Sequence, residues 1–194
     1  MTKSTIRIIY KQKRLNLSKE QVLQDSSDIA KNFINNLLPK IVDFKNKKLA
    51  FYVSTNNEVN PIQIIKHCKK LGNQISLPKI NQNLELNFKS YVLGDELVVN
   101  KNYPKLLEPS ESKTNITPDI VFVPLVAFDE NCHRIGMGGG FYDAMISRSR
   151  TGNLKQIFIG LGYEMQKCDR IELDKWDQNL DLIISQINIT LCKQ

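Results

Sequence analysis

The chain has 194 residues, 41% of them hydrophobic and 24% charged, which is enough apolar material for the core of one domain spanning residues 1–194. No apolar run approaches the roughly 18 residues that cross a bilayer, and the N-terminus lacks the apolar stretch and cleavage site of a signal peptide, so we expect a cytoplasmic protein outside the membrane. The net charge of +7 fits nucleic acid and equally fits small polyanions such as nucleotides, but the lysines are spread along the chain without a nucleic-acid-binding signature.

Two helices are predicted at the N-terminus. Apolar residues recur at helical spacing in the first positions, and Lys3 and Arg7 lie one turn apart on a shared face. Ser18, with Gln21 three residues later, has the signature of a capping box that opens a second helix. We expect that helix to stop at Pro39, which cannot continue it.

The pattern then alternates between compact apolar runs and helices. Asn60 and Pro61 are typical of a helix start, and Gly72 of a helix end. Another helix is predicted over residues 141–149. The apolar runs predict strands over residues 48–54, 74–78, 84–88, 119–124, 156–163 and 181–186. Such alternation is typical of a sheet covered by helices on both faces, so the sequence predicts a three-layer α/β/α domain with a mostly parallel, Rossmann-like central sheet and N-terminal helices.

Residues 89–118 are the least regular part of the chain. Three prolines, Pro104, Pro109 and Pro118, mark loops within it or at its end. The sequence leaves open whether this segment is a lid or a small excursion from the domain.

The four cysteines, Cys68, Cys132, Cys168 and Cys192, contain no C-x-x-C pair. This spacing favours free thiols in a reducing compartment. Cys132 and His133 are adjacent, but the chain has only two histidines, so a zinc site there is not expected.

Four of the nine glycines lie within the segment RIGMGGGFYD, residues 134–143. The segment follows the predicted strand 119–124 and precedes a predicted helix, which is where open α/β sheets bind ligands. Glycines let backbone N–H groups approach an anion, a helix N-terminus adds unpaired donors, and Arg134 adds a fork of positive charge. Asp143 can cap the helix or hold a cation. The segment matches neither the Walker nor the G-x-G-x-x-G pattern, and a flexible turn without a ligand is the alternative.

The longer stretch VPLVAFDENCHRIGMGGGFYDAMI resembles the signature of the 5-formyltetrahydrofolate cyclo-ligase (5,10-methenyltetrahydrofolate synthetase) family. That signature is V-P-G-x-A-F-D followed by G-x-R-L-G-x-G-x-G-Y-Y-D. Further landmarks of the family match in order at Lys3 with Arg7, Glu58 after a strand, Leu77-Pro78, Glu108-Pro109 and Asp177 before the last predicted strand.

The chain departs from the family pattern at a few positions. Leu125 stands where the family has Gly, and Ile135 replaces Leu. Phe141 replaces the first Tyr, so it keeps a ring for stacking and loses a hydroxyl. Asp177 has two acidic neighbours, Asp174 and Asp181, either of which competes with it for the same assignment.

The resemblance implies an enzyme that converts 5-formyltetrahydrofolate to 5,10-methenyltetrahydrofolate and turns ATP into ADP and phosphate. The formyl oxygen would be phosphorylated, and the folate nitrogen at position 10 would close the ring. Arg134 and Tyr142 are the expected catalytic residues. Mg²⁺ would be held by Asp143 and Asp177. ATP would lie against Lys3, Arg7, Arg134, Ile135, Gly136, Met137, Gly138, Gly139, Gly140, Phe141 and Tyr142. The folate would contact Val53, Glu58, Met137, Gly138, Gly139, Gly140 and Phe141.

The partners implied are therefore small molecules: ATP and 5-formyltetrahydrofolate, with or without a polyglutamate tail. Neither nucleic acid nor a membrane is expected, and the chain would be a monomer or a weak homodimer. One alternative is a catalytically silent folate- or anion-binding module of the same fold, which Phe141 and Leu125 permit. Another is a basic nucleic-acid-binding domain, which only the net charge favours.

Overall fold

The computed structural model describes residues 1–152 and 154–192. The α-helices of this part are α1 (Lys3–Leu15), α2 (Lys19–Asn32), α3 (Ile62–Lys70) and α4 (Phe141–Thr151). The strands are β1 (Lys48–Ala50), β2 (Gln74–Ile80), β3 (Leu86–Ser90), β4 (Leu97–Val99), β5 (Leu107–Pro109), β6 (Ile120–Pro124), β7 (Ala127–Phe128), β8 (Arg134–Ile135), β9 (Ile157–Leu161), β10 (Leu182–Ile184) and β11 (Ile189–Leu191).

Seven strands form the central sheet in the order β11-β10-β9-β6-β1-β2-β3. The five inner strands run parallel, and β3 and β11 pair antiparallel at the two edges. This arrangement confirms the predicted mostly parallel sheet. Parallel neighbours need crossover connections, and the chain passes through α3 between β1 and β2 and through α4 between β6 and β9.

The core lies on both faces of the sheet, as β6 shows. Its Ile120 and Phe122 are fully buried in one cluster with residues of α2 and α3. The alternate residues Val121 and Val123 belong to a second cluster that includes Ile146 of α4. Because successive strand residues point to opposite faces, a strand that is apolar throughout requires cover on both sides. The three-layer prediction is confirmed.

The second N-terminal helix follows its sequence signals in part. The Ser18 hydroxyl caps α2 by accepting a hydrogen bond from the backbone N–H of Gln21 at 3.1 Å. The Gln21 side chain instead donates to Asp25, so the reciprocal half of the predicted capping box is wrong. Helical turns also continue past the predicted stop, because a 3₁₀ turn spans Leu38–Lys40 and places Pro39 in its first turn, where no N–H is needed.

Several short elements differ from the prediction. Strand β1 ends at Ala50, although the apolar run continues, and β3 begins two residues later than predicted. The segment after β6 is a β7–β8 hairpin rather than a continuous loop, so Arg134 lies on a strand. Strands of two or three residues carry too little periodicity to be recognised in a sequence, and β4, β5 and β11 were missed for the same reason.

Residues 89–118 complete β3 and then form the antiparallel β4–β5 ribbon, which lies outside the main sheet. The ribbon is tied to β2 by a buried carboxylate, since Glu108 accepts from Lys79 Nζ at 2.6 Å and from Asn100 Nδ2 at 2.7 Å. Glu108 of the Glu-Pro landmark therefore holds the β4–β5 ribbon against β2.

Two of the four cysteines are bonded, which corrects the expectation of free thiols throughout. Cys132 at the β7–β8 turn forms a disulfide with Cys192, just after β11, 60 residues away. Cys132 also has a left-handed backbone, with φ of 59°, at the position where the family pattern has the glycine of G-x-R. Cys68 and Cys168 are free. A pair so distant in sequence has no spacing signal.

Leu125 is accommodated by two glycines of the neighbouring segment. A Cβ added to Gly160 would lie 3.0 Å from the Leu125 side chain, and one added to Gly162 would lie 2.8 Å from it. The Leu125 side chain, at a position where the family pattern has Gly, thus occupies space that side chains at residues 160 and 162 would otherwise fill.

In the part of the chain that the structure describes, no helix is long and apolar enough to pass through a bilayer.

Candidate functional site

A cavity of about 730 Å³ opens beyond the carboxyl ends of β1 and β6. This volume lies within the roughly 300–1,000 Å³ typical of small-molecule sites. Helix α1, the loop after β1, the β4–β5 ribbon, the glycine segment and residues 174–177 all contribute to its wall. Every residue that the sequence predicted for a site lines it: Lys3, Arg7, Val53, Glu58, Arg134, Ile135, Gly136, Met137, Gly138, Gly139, Gly140, Phe141, Tyr142, Asp143 and Asp177. The structure therefore brings the predicted residues together, while their individual roles stay predictions.

Arg134 is held rigidly at the base of this cavity. Its side chain is 4% exposed, its Nη2 donates to Asp143 Oδ1 at 3.0 Å, and its Nη1 donates to the carbonyl of Gln178. The same Asp143 oxygen accepts from the Gln178 backbone N–H at 3.1 Å. Burial lowers the pKa of Arg134, and the Asp143 charge opposes this shift. The result is a buried cation whose position is fixed by two protein contacts before it meets an anion.

The sequence left open whether Asp143 caps the helix or holds a cation, and the structure decides only the first of these alternatives. It lies in the first turn of α4, but the helix has Gly140 as its N-cap and no side-chain capping bond. Its carboxylate is bound to Arg134 instead, so the helix-cap interpretation is wrong.

Lys3 is paired with two carboxylates on the opposite wall. Its Nζ contacts Asp177 Oδ2 and lies 2.7 Å from Asp174 Oδ2. Asp177 also accepts from the backbone N–H of Asp174, which closes the turn that carries both side chains. The ion pairs raise the pKa of Lys3 against the lowering effect of burial, so this side chain stays a cation.

The glycine segment presents unpaired backbone donors to the cavity. Arg7 lies against it, with Nε donating to the Gly136 carbonyl at 2.8 Å. Gly138 and Gly140 have positive φ, at 101° and 68°, which turns the chain there. Among the described residues, none of the N–H groups from Gly136 to Gly140 donates a hydrogen bond to the protein. Exposed, unpaired N–H groups that precede a helix form an anion-binding concavity.

Aromatic rings form another wall of the cavity. The ring of Phe141 packs onto Gly139, where an added Cβ would lie 2.8 Å from it. Tyr103 from the turn of the β4–β5 ribbon meets Phe141 edge to face, with ring centroids 5.7 Å apart. Burial and the nearby Glu58 charge raise the pKa of Tyr142 well above its ordinary value. Tyr142 is therefore a neutral donor at neutral pH, not a general base.

Glu58 is a buried carboxylate in the wall formed by the loop after β1. It is 9% exposed, and its Oε2 accepts from the Thr55 backbone N–H at 2.9 Å. The guanidinium of Arg14 lies behind it, with Nη1 3.7 Å from Oε1. Burial raises the pKa of Glu58, while Thr55 and Arg14 lower it.

Several residues that line the cavity were not predicted as site residues. Among them, Tyr103 comes from the irregular segment, Asp174 was named only as a neighbour of Asp177, and Trp176 was not named as a site residue. Trp176 is 69% exposed at the cavity edge. The exposure of Trp176 could not be inferred from the sequence. The signal that could have found Tyr103 is an aromatic residue five positions before Glu108 of the Glu108-Pro109 landmark.

The chain is similar in sequence to known proteins. A family model described as the 5-formyltetrahydrofolate cyclo-ligase family matches residues 1–186. A Haemophilus influenzae protein named 5-formyltetrahydrofolate cyclo-ligase is 29% identical over 178 residues, which cover 88% of this chain and 91% of that protein. A Mycoplasma genitalium protein of the same name is 32% identical over 139 residues, covering 71% of this chain and 72% of that protein.

Solved structures agree with the sequence comparison. The 5,10-methenyltetrahydrofolate synthetase of Mycoplasma pneumoniae superposes with a TM-score of 0.75 at 25% identity, covering 96% of this chain and 99% of that one. The NMR structure of the Aquifex aeolicus 5,10-methenyltetrahydrofolate synthetase superposes with a TM-score of 0.82 at 28% identity, covering 100% of this chain and 94% of that one.

Proposed function

The chain belongs to the 5-formyltetrahydrofolate cyclo-ligase family, and from this premise we propose how its cavity performs the family reaction. That reaction is the ATP-dependent conversion of 5-formyltetrahydrofolate to 5,10-methenyltetrahydrofolate. The proposal concerns which residues bind each substrate, how the chemistry proceeds and which ion assists it.

The observation that carries the proposal is the set of unpaired N–H groups in the glycine segment, placed between fixed cations. Arg7 contacts the segment directly, Arg134 begins it, and Lys3 lines the same cavity. A triphosphate needs this combination, because backbone N–H groups and cations together offset its charge. We assign the nucleotide to this side of the cavity, with residues 134–142, Lys3 and Arg7 as its contacts.

The folate is assigned to the wall that carries Glu58 and the aromatic rings. A carboxylate that accepts hydrogen bonds suits the donor-rich edge of a reduced pterin, and Phe141 with Tyr103 offers flat apolar surface to its rings. Val53 and the segment from Met137 to Gly140 lie between this wall and the phosphate side. Phe141 lacks the hydroxyl of the tyrosine in the family pattern, but its ring can still stack on the pterin.

The chemistry explains why so few reactive side chains are present. A formyl group on nitrogen is a poor electrophile, and its oxygen is a poor leaving group. Transfer of the γ-phosphoryl group to that oxygen creates a leaving group, the folate nitrogen at position 10 attacks the formyl carbon, and phosphate departs. The protein must align the oxygen with the phosphorus and offset the developing charge, which is the task of Arg134 and of the backbone donors. Tyr142, kept neutral by burial, can donate a hydrogen bond.

The acidic residues fit a magnesium ion that arrives with ATP. Among the described residues, no three histidine, cysteine or acidic side chains are grouped so as to hold a metal by themselves. Mg²⁺ is commonly bound by one or two carboxylates together with phosphate oxygens and water, so Asp143 and Asp177 suffice. Bound there, the ion would supply positive charge to the phosphates. Both carboxylates are paired with cations in the protein alone, which would have to release them.

The remaining assignments are parts of the same proposal. We assign the chain to the cytoplasm as a single domain over residues 1–194 that acts as a monomer or weak homodimer, with no nucleic-acid or membrane partner. The β4–β5 ribbon is assigned as a fixed wall of the folate site, because Glu108 binds it to β2. A polyglutamate tail would leave through the cavity mouth, where Lys105 lies.

The test is a spectrophotometric assay of methenyltetrahydrofolate formation from 5-formyltetrahydrofolate. We expect absorbance to grow only when ATP and Mg²⁺ are both present, with one ADP formed for each product molecule. A folded protein that binds folate and ATP by calorimetry but gives neither product would contradict the proposal, and it would favour the silent binding module instead.

A further inference from the structure

Arg14 is the largest fully buried side chain of the protein, and it does not line the cavity. It occupies the last turn of α1 and is 0% exposed. Its closest carboxylate contact, to Glu58, is 3.7 Å long, and its Nη2 has no hydrogen-bond partner among the described residues. Burying a guanidinium is unfavourable unless it is paired and hydrogen-bonded. A buried Arg14 with one unpaired nitrogen therefore needs an explanation.

Each polar contact of the Arg14 guanidinium is to a residue of the cavity wall. Its Nε donates to the carbonyl of Asn56 at 3.0 Å, and its Nη1 donates to the carbonyl of Leu125 at 3.1 Å. Asn56, Glu58 and Leu125 all line the cavity. One side chain therefore joins the loop after β1 to the segment after β6 from behind.

The loop after β1 needs such support, because its conformation is unusual. Asn56 and Asn57 both have positive φ, at 49° and 58°. The Asn57 side chain donates to the carbonyls of Arg14, Leu15 and Leu17, at 3.3, 3.3 and 3.0 Å. The end of α1 thus holds this turn by its backbone as well as by the Arg14 side chain, and the turn presents Glu58.

We propose that Arg14 is a positioning residue for the folate half of the site. Its guanidinium fixes the loop that carries Glu58 and, together with the Thr55 backbone hydrogen bond, favours the ionised form of this buried carboxylate, which can accept hydrogen bonds from the pterin. The inference rests on the proposed function, since it assigns Glu58 to folate. It differs from a purely structural role by predicting an effect on folate affinity that depends on pH and spares ATP.

The electrostatic surroundings of Glu58 make that pH dependence specific. Three tyrosines near it, Tyr52, Tyr142 and Tyr163, have pKa values raised above the ordinary, with burial as the first cause. They stay neutral between about pH 5 and pH 9, and the raised pKa of Lys3 keeps that cavity cation charged over the same range. Glu108, the other carboxylate that lines the cavity near the folate wall, is held by Lys79 and Asn100 away from Arg14, so we assign the pH dependence to Glu58.

The sign of the effect follows from the causes of the Glu58 shift. Burial raises the pKa of Glu58, and Arg14 is one of the groups that oppose the rise. Removing the guanidinium charge leaves burial less opposed, so the pKa rises further and the protonated form extends to higher pH. Folate binding should then be lost as pH falls, starting from a higher pH than in the unmodified protein.

The experiment measures the dissociation constants of 5-formyltetrahydrofolate and of a non-hydrolysable ATP analogue separately, by calorimetry, between about pH 5.5 and pH 9. For Arg14→Met we expect folate affinity at pH 7 to fall by about tenfold or more, with partial recovery as pH rises, and ATP-analogue affinity to change less than about twofold. Lys13→Met, an exposed cation of the same helical turn, is the matched control and should match the unmodified protein.

Two further variants keep the inference falsifiable if Arg14→Met folds poorly. Arg14→Lys retains a charge without the planar fork, so its folate affinity should fall while its pH profile stays near that of the unmodified protein. Glu58→Gln cannot titrate, so it should weaken folate binding without pH dependence. Adding Arg14→Met to Glu58→Gln should then cause no pH-dependent loss.

The outcomes separate this inference from the proposed function. Failure of the unmodified protein to bind 5-formyltetrahydrofolate overturns both. If the unmodified protein binds and converts folate, but Arg14→Met keeps its folate pH profile, or the Arg14 variants lose as much ATP-analogue affinity as folate affinity, only the inference is overturned, and Arg14 is a stabilising residue.

Discussion

At the scale of single residues, the site depends on backbone N–H groups that have no hydrogen-bond partner among the described residues. The glycine segment gives up side chains so that its N–H groups face the cavity, and Arg134 is fixed by Asp143 and the Gln178 carbonyl before any ligand arrives. Preorganised donors of this kind lose little free energy to reorganisation when charge develops. Gly138 contributes a backbone shape in addition, because its φ of 101° lies where side chains are rarely tolerated.

The glycine conformations can be tested by stability alone. Gly138→Ala should lower the free energy of unfolding by about 1–2 kcal/mol, because a residue with a Cβ would have to adopt the positive φ of this position. Gly136 has no positive φ and nothing within 4 Å of an added Cβ, so Gly136→Ala is the matched control and should not destabilise the fold. Urea unfolding followed by circular dichroism measures both. Equal stabilities for the two variants would contradict the assigned turn.

At the scale of elements, the cavity is built by connections rather than by the sheet itself. The β7–β8 hairpin carries Arg134 and packs its Ile135 against Ile6 and Tyr10 of α1, which brings the α1 cations towards the glycine segment. The turn of the same hairpin is tied by Cys132 to Cys192, so the end of the chain is fastened beside the site. The ends of the polypeptide thus both contribute to holding one short hairpin.

The contribution of this disulfide can be measured directly. Closing a loop of 60 residues restricts the unfolded chain, and we expect Cys192→Ser to lower the free energy of unfolding by about 2–4 kcal/mol in non-reducing buffer. In dithiothreitol the variant and the unmodified protein should have equal stability, which provides the control. Equal stability in both buffers would show that the bond does not form in solution.

At the scale of the whole molecule, five separate stretches of the chain meet at one edge of the sheet. They are the start of α1, the loop after β1, the β4–β5 ribbon, the glycine segment and the loop before β10. Parallel strands place their carboxyl ends together, so residues far apart in sequence reach the same cavity. The lining of this cavity combines cations and backbone N–H groups with a carboxylate and aromatic rings.

The fluorescence of the single tryptophan can report on ligand binding at this cavity. Trp176 is the only tryptophan of the chain and lies 69% exposed at the cavity edge. Binding of a non-hydrolysable ATP analogue with Mg²⁺ should shift its fluorescence to shorter wavelength, because the ring loses contact with water. Trp176→Phe should remove the signal while calorimetry still detects binding. Binding by calorimetry without any fluorescence change in the unmodified protein would place the nucleotide away from this edge.

Much of the fold could be predicted from local pattern. Runs such as residues 119–124 are apolar at every position, which indicates a strand buried on both faces, and β6 is such a strand. The glycine segment was found in the same way, since its spacing and residue types are local, whereas Lys3 and Arg7 were assigned to the site only by the family resemblance. A site formed by one short segment can be recognised in the sequence, because its residues are close together in the chain.

The tertiary structure decided the rest. The bond between Cys132 and Cys192, the edge-to-face contact of Tyr103 with Phe141, and the burial of Arg14 behind Glu58 each join residues that are distant in the chain. Periodicity reports on neighbours within one helix or strand, whereas such contacts depend on how whole elements pack. The sequence by itself therefore determined the layered fold and the candidate anion-binding segment, and only packing decided which distant side chains complete the cavity.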